Sequence, residues 1–201
     1  IFRMFQDNSG QGMRSPQATP SAEILIEKPR KAVSQLDVQD AGGKITISTA
    51  AVQIVFEKET NLFSLINKKS GKVVAQSVVP IAFEKNSYKI SLKENPDEYF
   101  YGGGVQNGRF SHKGKAIAIE NQNSWTDGGV ASPTPFYWST NGYGFMAYTF
   151  KKGIYDFGAK EKNTVLLTHD SDYLDVFFMI SDGIVSLLND FYQLTGKPVL
   201  I

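Results

Sequence analysis

Short segments in which apolar and polar residues alternate recur along most of the chain. Lys44–Thr49 alternates Ile45 and Ile47 with polar neighbours, and Ser87–Lys93 continues the same period of two. This period, carried by β-branched and aromatic residues, is typical of β-strands that bury one face. The same pattern predicts further strands at Ala22–Lys28, Ala51–Lys58, Tyr99–Gly102, Ala116–Glu120, Phe136–Thr140, Gly144–Phe150, Ile154–Phe157, Thr164–Leu167 and Tyr173–Ile180.

Turn-forming residues separate these segments. Glycine, proline and asparagine occur at Ala41–Gly43, Lys69–Gly71 and Asn95–Asp97, between predicted strands. Strands that recur about every 8–12 residues favour an antiparallel sandwich over alternating βαβ units. We therefore predict a mainly β fold, an antiparallel β-sandwich with one C-terminal amphipathic helix.

That helix is the clearest single element of the pattern. Its apolar residues follow the spacing of one helical face. They are Ile184, Leu187, Leu188, Phe191 and Leu194. Ser181 or Asp182 is expected to cap its start, Gly196 is expected to form a left-handed C-cap, and Pro198 prevents continuation.

The predicted elements divide the chain into three parts. Residues 1–21 are expected to form an N-terminal arm or loop, because Asp7–Pro20 is polar and contains glycine and proline. Residues 22–180 are expected to form the β-sandwich. Residues 181–201 are expected to form the helix and a linker.

Composition narrows the possible functions. The 201 residues include 21 Lys and Arg against 20 Asp and Glu, a net charge of +1 that argues against a nucleic-acid partner. No apolar run approaches the length of a membrane span, so no membrane association is predicted. Cysteine is absent, which excludes disulfides, thiolate metal sites and a cysteine nucleophile in this chain. The sequence assigns no compartment.

Familiar catalytic and cofactor motifs are missing. His112 and His169 are far apart and lie in no cluster with metal-ligand spacing. Neither a Gly-x-Ser-x-Gly elbow nor a nucleotide-binding glycine motif is present, because Tyr101–Gly108 has the wrong glycine spacing. We therefore predict no metal and no cofactor, and expect these glycines to form a bend that lets backbone approach closely.

The segment Glu120–Pro135 is the candidate binding site. It is too long for a tight hairpin and carries Asn123, Trp125 and Asp127. An indole ring can stack on the face of a sugar, and amide and carboxylate groups can bond its hydroxyls. The alternative is a surface loop whose tryptophan folds back on the sheet, and the residues alone leave both possibilities open.

Intrinsic glycoside hydrolysis is not predicted. That reaction needs two carboxyl groups about 5–5.5 Å apart for retention or about 6.5–9.5 Å apart for inversion. No pair of carboxylates can be placed on one face of a cleft, and Asp175 is expected on an outward strand face. We therefore assign no catalytic residue to this chain.

Four ordered motifs in the second half resemble glycoside hydrolase family 31, which includes α-glucosidases and α-xylosidases. Tyr99–Gln106 is similar to the family's F-Y-G-x-G-E strand, and Pro135–Gly144 to its P-F-x-W-S-x-x-G-Y-G segment. Tyr155–Gly158 also recurs there. Leu174–Pro198 resembles the family's strand, helix and L-T-G-x-P exit. Gln106 departs from the family's usual glutamate.

The resemblance implies a galactose-mutarotase-like sandwich that packs on a (β/α)8 barrel beginning after the L-T-G-x-P exit. In that family the barrel carries the two catalytic aspartates, and the loop before the P-F-x-W strand often lines a subsite. This loop matches Asn121–Pro133, which favours sugar contact by Asn123, Trp125 and Asp127.

The function expected from this resemblance is the N-terminal domain of a retaining α-glycosidase or α-glycosyltransferase. Its expected partners are an α-linked oligosaccharide and the barrel of the same polypeptide, with a homo-oligomer as a further possibility. Two alternatives remain: a stand-alone carbohydrate-binding module, supported by the Trp125 segment, and a structural sandwich that mediates dimerisation.

Overall fold

The computed structural model describes residues 2–5 and 35–198. The first strands in chain order are β1 (Phe2–Phe5), β2 (Asp37–Ala41), β3 (Lys44–Ser48), β4 (Val52–Glu57), β5 (Leu62–Asn67), β6 (Lys72–Gln76), β7 (Ala82–Glu84) and β8 (Ser87–Lys93). They are followed by β9 (Phe100–Gln106), β10 (Ala116–Ile119), β11 (Val130–Ser139), β12 (Tyr143–Ala147), β13 (Gly153–Phe157), β14 (Thr164–His169), β15 (Tyr173–Ile180) and helix α1 (Ile184–Thr195). No helix of the described residues is long and apolar enough to cross a membrane.

The strands form three antiparallel five-stranded sheets. The helix-bearing sheet has the order β1-β15-β12-β11-β9, and the opposing sheet has the order β10-β13-β14-β8-β7. The N-terminal sheet is a meander of β2 to β6, and an isolated bridge between Ser77 and Leu92 connects its end to β8. The mainly β, antiparallel fold predicted from the sequence is therefore confirmed.

Side chains from all three sheets share one apolar core. Phe100 of β9 stacks on Phe157 of β13 with ring centroids 4.6 Å apart. Phe63 of β5 meets Phe178 of β15 edge-on at 6.1 Å. Since these pairs join different sheets, the helix-bearing sheet forms one layer, and the other two sheets pack against its inner face.

Helix α1 covers the outer face of the helix-bearing sheet. Phe191 stacks on Phe136 of β11 with ring centroids 4.2 Å apart, and Leu187 is fully buried. These residues belong to the predicted apolar stripe, so the amphipathic pattern predicts the buried face of the helix correctly. Gly196 ends the helix with φ 91° and ψ 158°, a positive φ outside the left-handed helical region.

The predicted cap at the start of this helix is wrong. Gly183 is the N-cap residue, and no side chain of the cap bonds the first turn. Asp182 instead accepts a hydrogen bond from Asn67 Nδ2 at 2.6 Å and pairs with Lys69 Nζ at 3.0 Å. The carboxylate therefore ties the helix entry to the N-terminal sheet rather than to the helix backbone.

Several strand predictions need correction. The strand predicted at Gly144–Phe150 ends at Ala147, and Phe150 is exposed. Strands β2, β5, β6 and β7 are additional to the predicted set. The first predicted strand, Ala22–Lys28, lies outside the described residues. Within residues 1–21, β1 pairs antiparallel with β15, so this segment includes a sheet strand.

Candidate functional site

The connection of residues 120–129, here called the Trp125 loop, leads from the opposing sheet to the helix-bearing sheet. The backbone N–H of Ser124 donates to Val130 O at 3.1 Å. The N–H of Gly129 donates to Thr126 O at 2.9 Å. These bonds fold the loop into a turn just before β11 begins.

A second turn, residues 106–109, anchors this loop from the end of β9. The N–H of Asn107 donates to Gly129 O at 3.0 Å, and the N–H of Gly128 donates to Asn107 O at 2.8 Å. The side chain of Asn107 adds a bond from Nδ2 to Ser124 O at 2.8 Å. Because both backbone and side chain take part, the loop is held to the protein independently of its own exposed side chains.

Three consecutive glycines in β9 bring the backbones of β9 and β11 into close contact. Gly102, Gly103 and Gly104 have φ values of 115°, 75° and 78°. A Cβ at Gly102 would lie 2.7 Å from Phe136 O, and one at Gly104 would overlap Ser132 O. These positions therefore require glycine both for the positive φ and for space. The predicted close approach of backbones is observed, but the glycines lie within strand β9 and not in a bend.

The three residues predicted to contact sugar lie on the Trp125 loop, and all three are exposed. Trp125 is 74% exposed, so its ring does not fold back on the sheet. Asn123 has φ 48°, and its N–H donates to Asn121 Oδ1 at 3.0 Å. The Asp127 carboxylate faces Gly108, where a Cβ would overlap it. The hydroxyls of the residues flanking Trp125 bond each other at 3.0 Å.

Sequence reasoning missed a row of aromatic rings on the outer face of the helix-bearing sheet. We call Phe110, Tyr101 and Trp138 the aromatic strip. Tyr101 stacks on Trp138 with ring centroids 4.5 Å apart, and Phe110 meets Tyr101 edge-on at 5.4 Å. Phe110 is 87% exposed. The period of two across β9 and β11 could have identified this face, because Phe100 and Tyr137 point into the core instead.

A groove on the N-terminal sheet is a second surface feature, separate from the Trp125 loop. This groove of about 610 Å³ is lined by hydroxyl and amide side chains, including those of Thr46, Ser48 and Gln53. The residues that line it contain no aromatic ring. It therefore offers hydrogen bonds without the apolar stacking surface that a sugar ring favours.

Buried carboxylates form a structural network at the entry to β9. Glu98 accepts hydrogen bonds from the Ser139 hydroxyl and from Asn95 N at 3.0 Å. Lys113 Nζ bonds Glu94 Oε1 at 2.7 Å and Glu98 O at 2.8 Å. Burial raises the pKa of Glu98, and the charge of Glu94 adds to that shift. Asp175, predicted on an outward strand face, is instead buried and accepts a bond from the Tyr173 hydroxyl.

The two histidines are bonded to other protein groups. His112 Nε2 lies 2.8 Å from Gly102 O. His169 Nε2 lies 3.0 Å from the Tyr155 hydroxyl, and its Nδ1 lies 2.8 Å from Lys151 O. His169 is fully buried, and burial lowers its pKa to about 4.

We expect His169 to make the fold sensitive to acid. The unfolded chain binds this proton near pH 6.5 and the folded chain near pH 4, so stability falls as pH drops through that window. At about 1.4 kcal/mol per pKa unit, the loss in free energy of unfolding is about 3 kcal/mol.

The variant His169→Phe separates the effect of His169 protonation on the free energy of unfolding from the effects of all other titrating groups. It keeps the ring contacts but removes the bonds of His169 to the Tyr155 hydroxyl and to Lys151 O, so it is less stable than the wild type at pH 7. Urea unfolding at several pH values should show this deficit shrinking towards pH 4. A deficit that stays constant with pH would contradict the assignment.

A family model of the glycosyl hydrolase 31 N-terminal galactose mutarotase-like domain matches residues 1–156. Comparison with curated protein sequences gave no match.

Solved structures share the fold. A mutant dextranase of this family from Flavobacterium johnsoniae, complexed with isomaltotriose, has a TM-score of 0.76 at 18% identity, over 82% of this chain and 21% of that one. An α-xylosidase from a soil metagenome, complexed with xylose, has a TM-score of 0.75 at 17% identity, over 90% of this chain and 29% of that one. A cycloalternan-forming enzyme from Listeria monocytogenes, in complex with a pentasaccharide substrate, has a TM-score of 0.77 at 21% identity, over 87% of this chain and 18% of that one.

The present chain therefore spans less than a third of each of these proteins. At such identities the similarity establishes the fold and not the activity. The family model, in contrast, covers most of the sequence and agrees with the observed antiparallel sandwich. The chain belongs to the family of glycosyl hydrolase 31 N-terminal galactose mutarotase-like domains.

Proposed function

We propose that this chain is the substrate-facing N-terminal domain of a retaining α-glycosidase. The Trp125 loop contributes one wall of the substrate site, and a catalytic barrel in the same polypeptide contributes the rest. The substrate class is an α-linked oligosaccharide built from glucose or xylose. Support comes from the family match and from the sugars bound by the structurally similar dextranase and α-xylosidase.

The observation that carries this proposal is the exposure of Trp125 on an anchored loop. An indole that is 74% exposed leaves apolar area in water, and a sugar face can cover that area. The loop is bonded to the turn of residues 106–109, so the backbone that carries the ring is ordered before the sugar binds. Asn123 and Asp127 on the same loop supply an amide and a carboxylate for the hydroxyls of that sugar.

The chemistry itself falls to the barrel in this proposal. A retaining enzyme places two carboxyl groups about 5–5.5 Å apart, one as nucleophile and one as acid and then base. This chain binds and orients the sugar, and it limits access of water from one side. Its buried carboxylates Glu94 and Glu98 are bonded by Lys113, Asn95 and Ser139, which agrees with a structural role for them.

The aromatic strip provides a contact surface for the barrel. Trp138 continues the apolar cluster under helix α1, and Phe110 extends that surface outward. The chain leaves α1 at Gly196 on this same face of the sheet. Polypeptide that follows the helix can therefore cover Phe110 and Tyr101 without crossing the sandwich.

A stand-alone carbohydrate-binding module is the second candidate, because the Trp125 loop is formed within this chain alone. Calorimetric titration with isomaltotriose and maltotriose distinguishes the two. We expect the 201-residue chain to release no measurable heat, since one tryptophan and two polar groups form only one side of a site. The longer polypeptide, with its barrel, should bind at least one of these sugars.

Clear binding by the 201-residue chain, abolished by Trp125→Ala, would instead establish the module. A structural dimerisation sandwich would bind neither isomaltotriose nor maltotriose, and its mass in solution would be that of a dimer. Comparing the sedimentation of Phe110→Asp with that of the wild type tests the dimerisation hypothesis, because a charge in the aromatic strip would dissociate such a dimer.

A further inference from the structure

We infer that Gln106 is the positioning residue of the Trp125 loop, because its side-chain amide holds the two ends of that loop together. Gln106 Nε2 donates to Gly103 O at 2.8 Å and to Ala118 O at 3.1 Å. Gly103 lies in β9 of the helix-bearing sheet, and Ala118 lies in β10 at the edge of the opposing sheet. One amide therefore bridges two sheets that share no backbone ladder at this point.

The hydrogen bonds of Gln106 connect the segments at the two ends of the loop. Strand β10 ends at Ile119, immediately before the loop begins. The turn that starts at Gln106 binds the far end of the loop through Asn107, Gly128 and Gly129. The contact between Gln106 and Ala118 thus helps to set the separation of the two ends.

The edge of β10 explains why a side chain is needed. Strand β10 pairs with β13 on one side and has no strand on its other side within the described sheet. Its Ala116 and Ala118 carbonyls are bonded by Arg109 Nη1 at 2.7 Å and by Gln106 Nε2. Side chains from one turn thus replace a neighbouring strand and satisfy this edge.

Only a hydrogen-bond donor fits the position of the Gln106 nitrogen. Both of its neighbours are carbonyl oxygens, which accept but do not donate, and the side chain is buried. A carboxylate would place negative oxygens against both carbonyls with little water to screen them. A protonated carboxyl group could still donate to one of the two.

Three charged or titratable side chains contact residues close to this bridge in the chain. Arg109 donates to Ala116 O in the neighbouring strand. Asp127 faces Gly108 in the same turn, and buried His112 bonds Gly102 O. All three remain in the wild type and in the uncharged variant Gln106→Met, so these two proteins measured at the same pH show how the three groups affect exchange without an added charge.

The consequence for sugar contact rests on the proposed function. If the loop forms part of the substrate site, a displaced loop moves Trp125 relative to the sugar and raises KM more than it lowers kcat. The position of the loop can also be measured in the chain alone without any sugar. Failure of the proposed function is therefore distinguishable from failure of the inference on Gln106.

The experiment is hydrogen exchange of the Asn107 and Gly128 amides in the 201-residue chain carrying Gln106→Glu. Burial and the two carbonyls raise the pKa of the introduced glutamate. At pH 7 we expect both amides to exchange about tenfold faster than in the wild type at the same pH. At pH 4, where the carboxyl group is protonated, the ratio to wild type should fall towards one.

Two further variants make the result specific. Gln106→Met keeps the length without a donor, so its exchange should be faster at both pH values, and it serves as the test if Gln106→Glu does not fold at pH 7. Gln122→Glu adds the same charge at an exposed position of the loop and should match the wild type. Exchange in Gln106→Glu that equals the wild type, or that equals Gln106→Met at both pH values, would overturn the inference.

Discussion

Under the proposed function, replacing Trp125 with alanine in a polypeptide that carries both this domain and the barrel is expected to reduce kcat/KM for an α-linked oligosaccharide about 10- to 100-fold. Loss of one aromatic ring from a binding site corresponds to about 1.5–3 kcal/mol, and each 1.4 kcal/mol is a factor of about ten. The folded structure should be unaffected, because the ring is exposed and the loop is held by backbone atoms and by Asn107. Steady-state kinetics with an oligosaccharide substrate, together with thermal unfolding, provide the measurement.

Phe150 supplies a matched control for this substitution. It is 79% exposed on the connection between β12 and β13, outside the Trp125 loop. Phe150→Ala removes a comparable exposed aromatic ring and should leave kcat/KM unchanged, whereas Trp125→Phe should retain part of the activity. Equal kinetics for Trp125→Ala and Phe150→Ala would contradict a sugar-contacting role for the loop.

Replacing Gly104 with alanine is expected to lower the free energy of unfolding by about 3–5 kcal/mol, the range of severe steric conflicts. A Cβ there would overlap Ser132 O and would lie 2.6 Å from Thr134 N and 2.8 Å from Pro133 C. All three atoms belong to the backbone, so no side-chain rotation relieves the conflict. The pairing of β9 with β11 must change, and with it the base of the Trp125 loop.

Gly114→Ala separates this conflict from the cost of a positive φ. Gly114 has φ +70°, close to the +78° of Gly104, but nothing lies within 4 Å of the point that a Cβ would occupy there. The free energy of unfolding of Gly114→Ala should be lower than that of the wild type by only about 1 kcal/mol, the cost of the left-handed region for alanine. If urea unfolding gave the same loss for both variants, close approach of the β11 backbone would not explain the glycine run.

The sequence predicts many of the strands that bury one face, but it misses β5, in which every second residue is buried. Ser87–Lys93 alternates apolar and polar residues and forms β8 with every second residue buried. Strand β2, in contrast, is exposed along its whole length, and its place is set by the backbone ladder to β3. No periodicity marks such a strand, because neither of its faces is buried. The start of helix α1 is missed for a related reason, since Asp182 bonds Asn67, a residue distant in sequence.

The candidate site shows the same division between local and long-range information. The residue types of Asn123, Trp125 and Asp127 are those that a sugar-binding loop would use, although they also fit a plain surface loop, and the structure places all three on one exposed loop. The anchoring of that loop depends on a bond between Asn107 and Gly128, which no local pattern encodes. The bridge made by Gln106 is likewise invisible without the position of β10.

The most direct measurement is a crystal structure of the longer polypeptide with a bound oligosaccharide. The prediction is that the Trp125 ring stacks on a sugar ring, with ring centroids about 4.5–7 Å apart as in pairs of aromatic rings. Asn123 or Asp127 should lie within hydrogen-bond distance of a hydroxyl of that sugar. A sugar bound between groups of the barrel alone, with Trp125 in solvent or buried in a protein contact, would contradict it.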